Sequence, residues 1–503
     1  MIIDDQHYDV IIIGTGAGGG TLAHKLAPTG KKILVLEQGE FLEKESSELV
    51  DTEVFKKEQF HAPEQWYDSQ GEPFQLQTRY CVGGNTKIYS GVLMRMRERD
   101  FEEMQHKDGV SPAWALNYQD FEPYYTEAEK LYQVHGKADD DPTEPLHSGA
   151  YPFAEVAHEP QIEVVKDVLL KQGLHPSHLP LGLGDQGRTD SEDTGVSPAL
   201  KYANVTLKTS AQAVCLHTNP SGCEIKAVQA KIGQQSYLFL GSIIVLSCGA
   251  INSAVLLLRS ANEKHPNGIA NSSDGVGRHL MKQQLSVVVQ LISSANSGLS
   301  QRTLGVNDFY WGDDQYPYPM GHVQESGGIL QDVIFSEAPP LLSIFTRIMP
   351  EFGLRQLATR SIGWWLQTED LPNPNNRVRI AGDRLHIDYE PSNVEAHDRL
   401  VYRWLDVLKT VQSEQPSRFS RNSVFPRSDM PIQVVAHQCG TCRFGEDPKT
   451  SVLDLNCRAH EVDNLYVVDS SFFPSSSSIS PALTVIANAL RVGDHLIQRL
   501  MNK

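Results

Sequence analysis

The order of apolar, glycine and polar positions predicts a βαβ unit at the start of the chain. Val10–Ile13 is a continuous apolar run, which is typical of a parallel strand buried on both faces. A glycine-rich turn follows, then a helix-compatible stretch from about Gly18 to Leu26, and the sequence KKILVLE supplies a second buried strand. The pattern therefore predicts an α/β fold in this part of the chain.

The pattern changes character further along the chain. The stretch from Val205 to Ala250 alternates apolar and polar residues and turns at NPSG, which predicts an antiparallel hairpin that returns to a core strand. From about Leu285 to Pro431, Trp, Tyr and Pro are more frequent and helical runs are few, so we predict a second, sheet-rich domain. The chain closes with SPALTVIANALRVGDHLIQRL, a periodic helix that begins near Pro481.

Composition and charge narrow the class of protein. Of 503 residues, 40% are hydrophobic and 21% are charged, which is ordinary for a globular protein. The formal net charge of −18 argues against nucleic-acid binding and against docking on anionic membranes. No apolar run reaches the roughly 20 residues of a spanning helix. Seven scattered cysteines fit a reducing compartment, so we expect a cytoplasmic protein without membrane insertion.

Gly14, Gly16 and Gly19 form a GxGxxG loop between the first strand and the helix. The first glycine permits the tight turn, the second lets the backbone approach a pyrophosphate, and the third lets the helix pack on the strand. Glu37, at the end of the second strand, is placed to accept a hydrogen bond from a ribose hydroxyl and disfavours the 2′-phosphate of NADP. The alternative is a glycine-rich connection in an unrelated α/β fold, and the loop alone does not separate FAD from NAD.

Three further segments resemble the glucose–methanol–choline (GMC) family of flavoprotein oxidoreductases. They are Arg79–Phe101 (RYCVGGNTKIYSGVLMRMRERDF), Leu246–Ser260 (LSCGAINSAVLLLRS) and His437–Arg491, which begins HQCGTCRFGEDP and ends SPALTVIANALR. With the glycine loop, the four blocks stand in the family's order and span the chain. The match is poor between about Leu285 and Pro431. Within the family, the chain is most similar to the bacterial branch that oxidises pyranose sugars and glycosides.

The resemblance implies both a fold and a division of the chain. The fold is a Rossmann-like FAD-binding domain with a doubly wound sheet, joined to a substrate domain built on a mostly antiparallel sheet with helices packed on it. By this reading, residues 1–285 and 431–503 form the discontinuous FAD-binding domain, and residues 286–430 form the substrate-binding domain.

The resemblance also implies how FAD is held. Gly83, Gly84 and Asn85 match the loop that wraps the flavin's pyrophosphate and ring edge, where missing side chains permit close backbone approach. A plain glycine turn is the alternative. Several relatives attach FAD through a histidine just after this glycine pair. The corresponding position here is Ile88, so we expect FAD to be bound non-covalently.

Four further positions are implied to contact FAD. Val205 matches the strand that contacts adenine through its backbone, and Asp469 matches the acid before a turn at the pyrophosphate. Pro481 and Leu483 lie at the start of the last helix, whose positive end is expected to face the pyrimidine side of the flavin. A helix N-terminus there would stabilise the anionic reduced flavin.

His437 is implied to be the catalytic base. In the family, the histidine of H-x-x-G-T removes the proton of an alcohol while hydride passes from the same carbon to flavin N5. A neutral imidazole with a pKa near ~6.5 can take this proton at working pH, a gain of roughly 10²–10⁴-fold. A structural histidine is the alternative. For Cys439 and Cys442 we favour packing over a dithiol switch or a zinc site completed by Cys457 and His460, and we expect no metal.

Ser480 departs from the family's pattern. Relatives carry a second histidine or an asparagine directly before P-x-L-T, and a serine hydroxyl can donate or accept but cannot titrate like histidine. We expect Ser480 to hold the substrate oxygen, directly or through water, as the second catalytic residue. The alternatives are a helix cap, or an altered reaction such as that of a GMC-fold lyase or another flavin-retaining enzyme without net redox.

The sequence thus predicts an FAD-dependent enzyme similar to pyranose oxidases. It is expected to oxidise a secondary hydroxyl of a sugar or glycoside to a carbonyl and to pass the electrons to O₂ or a quinone-like acceptor. A non-catalytic flavoprotein is a third hypothesis, and no oligomeric state is indicated. Core packing competes with substrate binding at the candidate sugar contacts, which are His322, Gln324, Trp364, Trp365 and Gln367.

Overall fold

The structure is a computed structural model that describes residues 1–42, 62–76, 78, 80–292, 302–327, 359–414, 427–433 and 437–502. Its strands are β1 (Ile2–Ile13), β2 (Ile33–Leu36), β3 (Trp66–Tyr67), β4 (Pro73–Phe74), β5 (Met104–Gln105), β6 (Val110–Ser111), β7 (Val134–His135), β8 (Pro176–His178), β9 (Leu181–Gly184), β10 (Gly187–Arg188), β11 (Val205–Lys208), β12 (Ala211–Thr218), β13 (Ile225–Ile232), β14 (Gln235–Leu246), β15 (Gln284–Leu291), β16 (Leu304–Val306), β17 (His322–Gly327), β18 (Ser361–Thr368), β19 (Arg377–Ala381), β20 (Arg384–Asp388), β21 (Arg427–Asp429) and β22 (Leu465–Val467). The longer helices are α1 (Ala17–Leu26), α2 (Tyr118–Leu131), α3 (Pro160–Lys171), α4 (Ala250–Arg259), α5 (Val394–Glu414) and α6 (Ala482–Met501).

The first large sheet has seven strands in the order β11-β2-β1-β14-β13-β12, with β22 pairing β14 as well. The strands β11, β2, β1, β14 and β22 are parallel, whereas β12 and β13 form an antiparallel hairpin that returns to β14. Ile11, Ile12 and Val245 are fully buried, as continuous apolar strands in a covered parallel sheet must be. The βαβ unit and the hairpin predicted from the sequence are both present.

Three helices pack together beside this sheet. The helix α1 lies against α6, and α6 lies against α2. Every residue of α6 from Leu483 to Leu490 is buried, so the first half of this helix lies inside the core on all sides. Within the described ranges, no helix combines the length and the apolar character needed to cross a bilayer.

The second large sheet has six strands in the order β21-β15-β18-β17-β16-β8, and every pair in it is antiparallel. The helices α3 and α5 pack on one face, where the rings of Trp364 and Trp404 lie 4.7 Å apart. This confirms the antiparallel sheet with helices packed on it. Residues 293–301, 328–358 and 415–426 of this stretch lie outside the described residues.

The helix α5 extends over 21 residues of this stretch. Its buried residues include Ala396, Leu400, Trp404 and Leu408, at a spacing of four. That spacing places one side chain per turn on a single face, and this face covers the sheet.

Strand pairing crosses the division of the chain drawn from the sequence. The strand β8 belongs to the second sheet although it precedes residue 286, and β19 and β20 join β3 and β4 in a separate four-stranded sheet. The boundaries at residues 285 and 431 therefore stay a prediction.

Candidate active site

The glycine loop after β1 has the close contacts that its sequence predicts. Gly14 has a φ of +100°, and a Cβ there would lie 2.2 Å from the carbonyl oxygen of Ser247. A Cβ at Gly19 would lie 2.0 Å from the carbonyl oxygen of Gly14. In contrast, a Cβ at Gly16 would meet nothing within 4 Å. The first and third glycines thus serve the fold itself, whereas Gly16 borders open space.

The same loop holds two residues that the sequence reasoning missed. A Cβ at Gly18 would lie 1.7 Å from the carbonyl oxygen of Val468, so this glycine lets α1 approach the segment before Asp469. Thr15 is fully buried, and its hydroxyl donates to Glu37 and accepts from the backbone N–H of Gly83 at 3.1 Å. The run of three glycines from Gly18 was the available signal, because glycine is unfavourable inside a helix.

Glu37 is buried beside this loop and holds it. One carboxylate oxygen accepts from the Thr15 N–H at 3.0 Å and its hydroxyl at 2.5 Å, and the other accepts from the Gly39 N–H at 2.9 Å. Burial raises the pKa of Glu37, and these donors oppose the shift. The oxygen that accepts from Gly39 has a further lone pair, so the ribose contact stays a prediction beside this structural role.

The structure does not bring Val205 to the glycine loop. Val205 pairs with Ile33 at the beginning of β2, whereas Lys208 pairs with Leu36 at its end. Three residues of strand separate the two positions by about 10 Å. The backbone beside Glu37 comes instead from residues 208–211, because the Glu37 N–H donates to Lys208 and the Ala211 N–H donates to Glu37. The adenine contact at Val205 stays a prediction.

The second glycine turn meets the first. Gly83 and Gly84 have φ values of +91° and +54°, and a Cβ at Gly84 would lie 3.1 Å from the Cα of Gly16. Asn85 follows in a short 3₁₀ helix, Gly84–Lys87, where its side chain accepts from the Thr78 hydroxyl at 3.2 Å. The two turns that the sequence assigns to FAD thus face each other.

Asp469 is buried and organises two turns at the edge of the first sheet. It accepts from the Gly249 N–H at 3.1 Å and the Ser253 hydroxyl at 2.5 Å, and from the Ser471 N–H at 2.9 Å. Burial raises its pKa. Asp469 thus fixes the backbone at Gly249 and Ser471, and its place beside the pyrophosphate stays a prediction.

The residues present fit a dinucleotide. The helix α1 begins after Gly16, which provides no side-chain cap, so the first N–H groups of α1 have no acceptor within the helix. Such a helix end favours a phosphate group. Open space at Gly16 and the adjacent Gly84 turn leave backbone free to approach that group.

His437 lies in a second group of residues next to the first. Its Nδ1 is 2.9 Å from the Oε1 of Gln283. The segment after it is tied to the Asp469 turn, since the Ser470 hydroxyl donates to the Gln438 carbonyl at 2.6 Å. Burial lowers the pKa of His437 to about 4, well below the value of ~6.5 that the sequence argument used. The imidazole is therefore neutral at every ordinary working pH.

Ser480 is buried one residue before the cap of α6. The helix N-cap is assigned to Pro481, whose φ of −76° and ψ of −8° are already helical, so the helix-cap alternative for Ser480 stays a prediction. Leu483 is fully buried in the first turn of α6. The Ile479 carbonyl, directly before Ser480, accepts from the amide of Gln283 at 2.6 Å. Through Gln283, the structure brings His437 and Ser480 into one neighbourhood.

Cys439 and Cys442 are buried free thiols. Burial, together with Asp370 and Glu369, raises the pKa of Cys439 far above its ordinary value, and burial also raises that of Cys442. The reactive form of a cysteine is the thiolate, which these surroundings disfavour. The arrangement favours the packing interpretation of the CxxC motif.

Among the candidate sugar contacts, Trp364 and His322 are buried with hydrogen-bond partners, whereas Gln367 is buried without them among the described residues. Trp364 is a core residue, because it is fully buried in the cluster formed with α5 and its indole N–H donates to Gln290. His322 is buried between Asn307 and Gln324, at 2.7 and 3.1 Å. Gln367 is also fully buried, yet among the described residues neither its amide oxygen nor its amide nitrogen has a hydrogen-bond partner.

Comparison with known proteins identifies the family. Two models, both described as GMC oxidoreductase, match residues 8–285 and 372–489, which is more than half of the chain. The chain belongs to the GMC oxidoreductase family. The family resemblance, the oxidoreductase class, the fold class and the FAD cofactor predicted from the sequence are thereby confirmed. The non-covalent mode of binding, which rests on Ile88, stays a prediction.

Relatives within this family extend over nearly the whole chain. The 6‴-hydroxyparomomycin C oxidase of Streptomyces lividus is 28% identical over 99% of this chain and 92% of its own length. The paromamine 6′-oxidase of Streptomyces fradiae is 26% identical over 97% of this chain and 91% of its own. A solved structure of formate oxidase from Aspergillus oryzae superposes with a TM-score of 0.68 over 99% of both chains at 15% identity, which is a likeness of fold.

Proposed function

We propose that this GMC oxidoreductase oxidises an alcohol carbon of a sugar, glycoside or other polyol to a carbonyl, with His437 as the general base. The observation that supports this most directly is the position of the His437 ring, whose Nδ1 lies 2.9 Å from Gln283, the residue that also holds the loop before Ser480. The names of the two oxidases from Streptomyces point to hydroxyl-bearing substrates, in keeping with this proposal.

The protein's part in the reaction is to hold the alcohol and take its proton. Residues of the two glycine turns would hold FAD, with Glu37 fixing the first of these turns through Thr15 and Asp469 fixing the turns at Gly249 and Ser471. When bound, FAD supplies the acceptor for the hydride of the alcohol carbon. The free ring nitrogen of His437 receives the hydroxyl proton, and the hydroxyl of Ser480, directly before the Pro481 cap of α6, is available to the same oxygen. We propose O₂ or a quinone-like compound as the electron acceptor. Experiment decides between these two acceptors and identifies the hydroxyl that reacts.

Anaerobic mixing of the holoenzyme with a panel of monosaccharides, glycosides and simple alcohols tests this proposal. Loss of flavin absorbance near ~450 nm with a polyol, and its return in air or with a quinone, is the expected result. Conversion of a substrate without any change in the flavin spectrum would favour the lyase alternative. A yellow protein that responds to no member of the panel, with the same behaviour in a His437 variant, would contradict the proposal.

We further propose that Gln367 binds a hydroxyl of the substrate. Along β18, Trp364 and Leu366 face the cluster with α5, so Trp365 and Gln367 face the opposite side of the sheet. Leu285, two residues after Gln283, lies directly opposite Gln367 in the neighbouring strand. The hydroxyls of a polyol can donate to the amide oxygen and accept from the amide nitrogen of Gln367, and neither of these atoms has a partner among the described residues.

Replacing Gln367 with leucine is therefore expected to change stability and function in opposite directions. The free energy of unfolding should rise by about 1–3 kcal/mol, because a buried amide without partners is removed. The KM for the polyol should rise while kcat changes little. Denaturant titration and steady-state kinetics measure the two effects. Gln290→Leu is the matched control, since its amide accepts from Trp364 at 2.9 Å, and here stability should fall without a change in KM.

The low pKa of His437 predicts a simple pH profile. A base must be neutral to accept a proton, so the rate of flavin reduction should stay constant from about pH 5.5 to 8 and fall as pH drops through the pKa of about 4. Anaerobic stopped-flow over this range measures it. A limb centred near ~6.5 would show that His437 has its ordinary pKa in the working enzyme.

A further inference from the structure

The amide of Gln283 has only one possible orientation. The side chain is buried, and its nitrogen lies 3.2, 3.0 and 2.6 Å from the carbonyl oxygens of Ser476, Ser477 and Ile479. Carbonyl oxygens accept hydrogen bonds and cannot donate them, so the NH₂ end of the amide must face this loop. The amide oxygen is thereby turned toward His437.

This orientation determines where the proton of His437 resides. The amide oxygen of Gln283 lies 2.9 Å from Nδ1 and can only accept, so Nδ1 must carry a hydrogen. A neutral imidazole has one ring N–H, and Nε2 is then bare. We propose that Gln283 is a positioning residue that fixes His437 as the Nδ1–H tautomer and so leaves Nε2 to receive the hydroxyl proton of the substrate. This inference rests on the proposed role of His437.

The backbone of Gln283 supports a specific task at this position. Its φ is +61°, in the left-handed region, where a residue other than glycine is disfavoured. Neighbouring contacts hold the segment: Met281 and Cys439 exchange backbone hydrogen bonds at 3.0 and 2.9 Å, and the Lys282 ammonium donates to the Met430 carbonyl at 3.0 Å. The strain places the amide between the base and the Ser480 loop.

The partner of His437 is a neutral amide, and this has a chemical consequence. A carboxylate at the same position would favour the imidazolium and raise the pKa of the base. The charged side chains on the neighbouring segments are engaged elsewhere, since Lys282 donates to Met430, and Asp370 accepts from the hydroxyls of Tyr389 and Ser392. Gln283 therefore selects a tautomer without adding charge.

The same side chain connects the two predicted catalytic residues. One end of the amide orients His437, and the other holds the Ile479 carbonyl that precedes Ser480. A change at Gln283 is thus expected to disturb proton transfer, while the contacts proposed to bind substrate at Gln367 remain.

Two variants of the holoenzyme test the inference. Gln283→Met keeps the length of the side chain but removes both polar atoms, so Nδ1 loses its acceptor and both tautomers become populated. We expect kcat to fall at least about tenfold with little change in KM, because the wrong tautomer offers an N–H to the substrate. Gln283→Glu keeps an acceptor toward Nδ1, and its second oxygen can face the three carbonyl oxygens only as a protonated O–H, so this variant should retain the tautomer without adding charge.

Nitrogen-15 spectra of histidine-labelled protein read the tautomer without substrate. The His437 signals are assigned by difference from His437→Asn. The wild type and Gln283→Glu should show a protonated Nδ1 and a bare Nε2, and Gln283→Met should show a mixture. A wild-type spectrum with the proton on Nε2, or an unchanged tautomer in Gln283→Met, would overturn the inference. Because this readout requires no turnover, it separates failure of the Gln283 inference from failure of the proposed alcohol oxidation.

Discussion

Replacing His437 with asparagine should lower the rate of substrate-driven flavin reduction by roughly 10²–10⁴-fold, which is the usual contribution of a general base. Asparagine can still donate a hydrogen bond to the Gln283 oxygen that now lies 2.9 Å from Nδ1. The amide network and the loop before Ser480 should therefore persist, and FAD content should match the wild type. Anaerobic stopped-flow gives the rate, and the absorbance of released flavin gives the FAD content.

His460→Asn is the matched control for this variant. His460 lies in the same C-terminal stretch, but its Nε2 is 3.0 Å from the Ser451 hydroxyl and 3.2 Å from the Gly445 carbonyl. Its replacement should leave the reduction rate close to that of the wild type. If His437→Asn reduced its flavin as fast as the His460 variant, the proton acceptor would have to be another group, and the proposed mechanism would be wrong.

The sequence predicted the elements that local patterns specify. Continuous apolar runs determined β1 and β2, and the GxGxxG spacing determined the turn in which Gly14 and Gly19 pack so closely that no side chain fits. Such features are local, because each depends on a few consecutive residues. The register of a distant strand is not local. Val205 was assigned by its position in a motif, whereas the pairing of β11 with β2 decides which of its residues reach Glu37.

Side-chain networks were also beyond the reach of the sequence. Gln283 acquires its role only because four distant groups converge on it, from His437 on one side and from the Ser476, Ser477 and Ile479 carbonyls on the other. Nothing in the residues around Gln283 indicates this. Gln367 and Trp364 illustrate the same limit. Side chains alternate along β18, so the tryptophan lies in the core and the glutamine lies on the opposite face of the sheet.

Two neighbouring glycines should respond very differently to the same substitution. Gly16 has φ −66° and ψ −166°, an extended conformation open to any residue, and a Cβ there meets nothing within 4 Å. Gly16→Ala should therefore leave the unfolding of the FAD-free chain unchanged. A methyl group in the space next to the N-terminus of α1 should nevertheless obstruct the pyrophosphate, so we expect FAD affinity to fall about tenfold or more, which is about 1.4 kcal/mol.

Gly18→Ala places its methyl group 1.7 Å from the Val468 carbonyl oxygen, which is backbone and cannot rotate away. The helix α1 or the segment leading to Asp469 must shift, and overpacking of this kind destabilises by about 1–3 kcal/mol or more. We expect a lower free energy of unfolding with and without FAD. Denaturant titration of both variants, each with and without added FAD, measures the contrast. Equal destabilisation of the FAD-free chain by both variants would show that Gly16 also serves packing, because without FAD no loss of ligand binding can lower the stability.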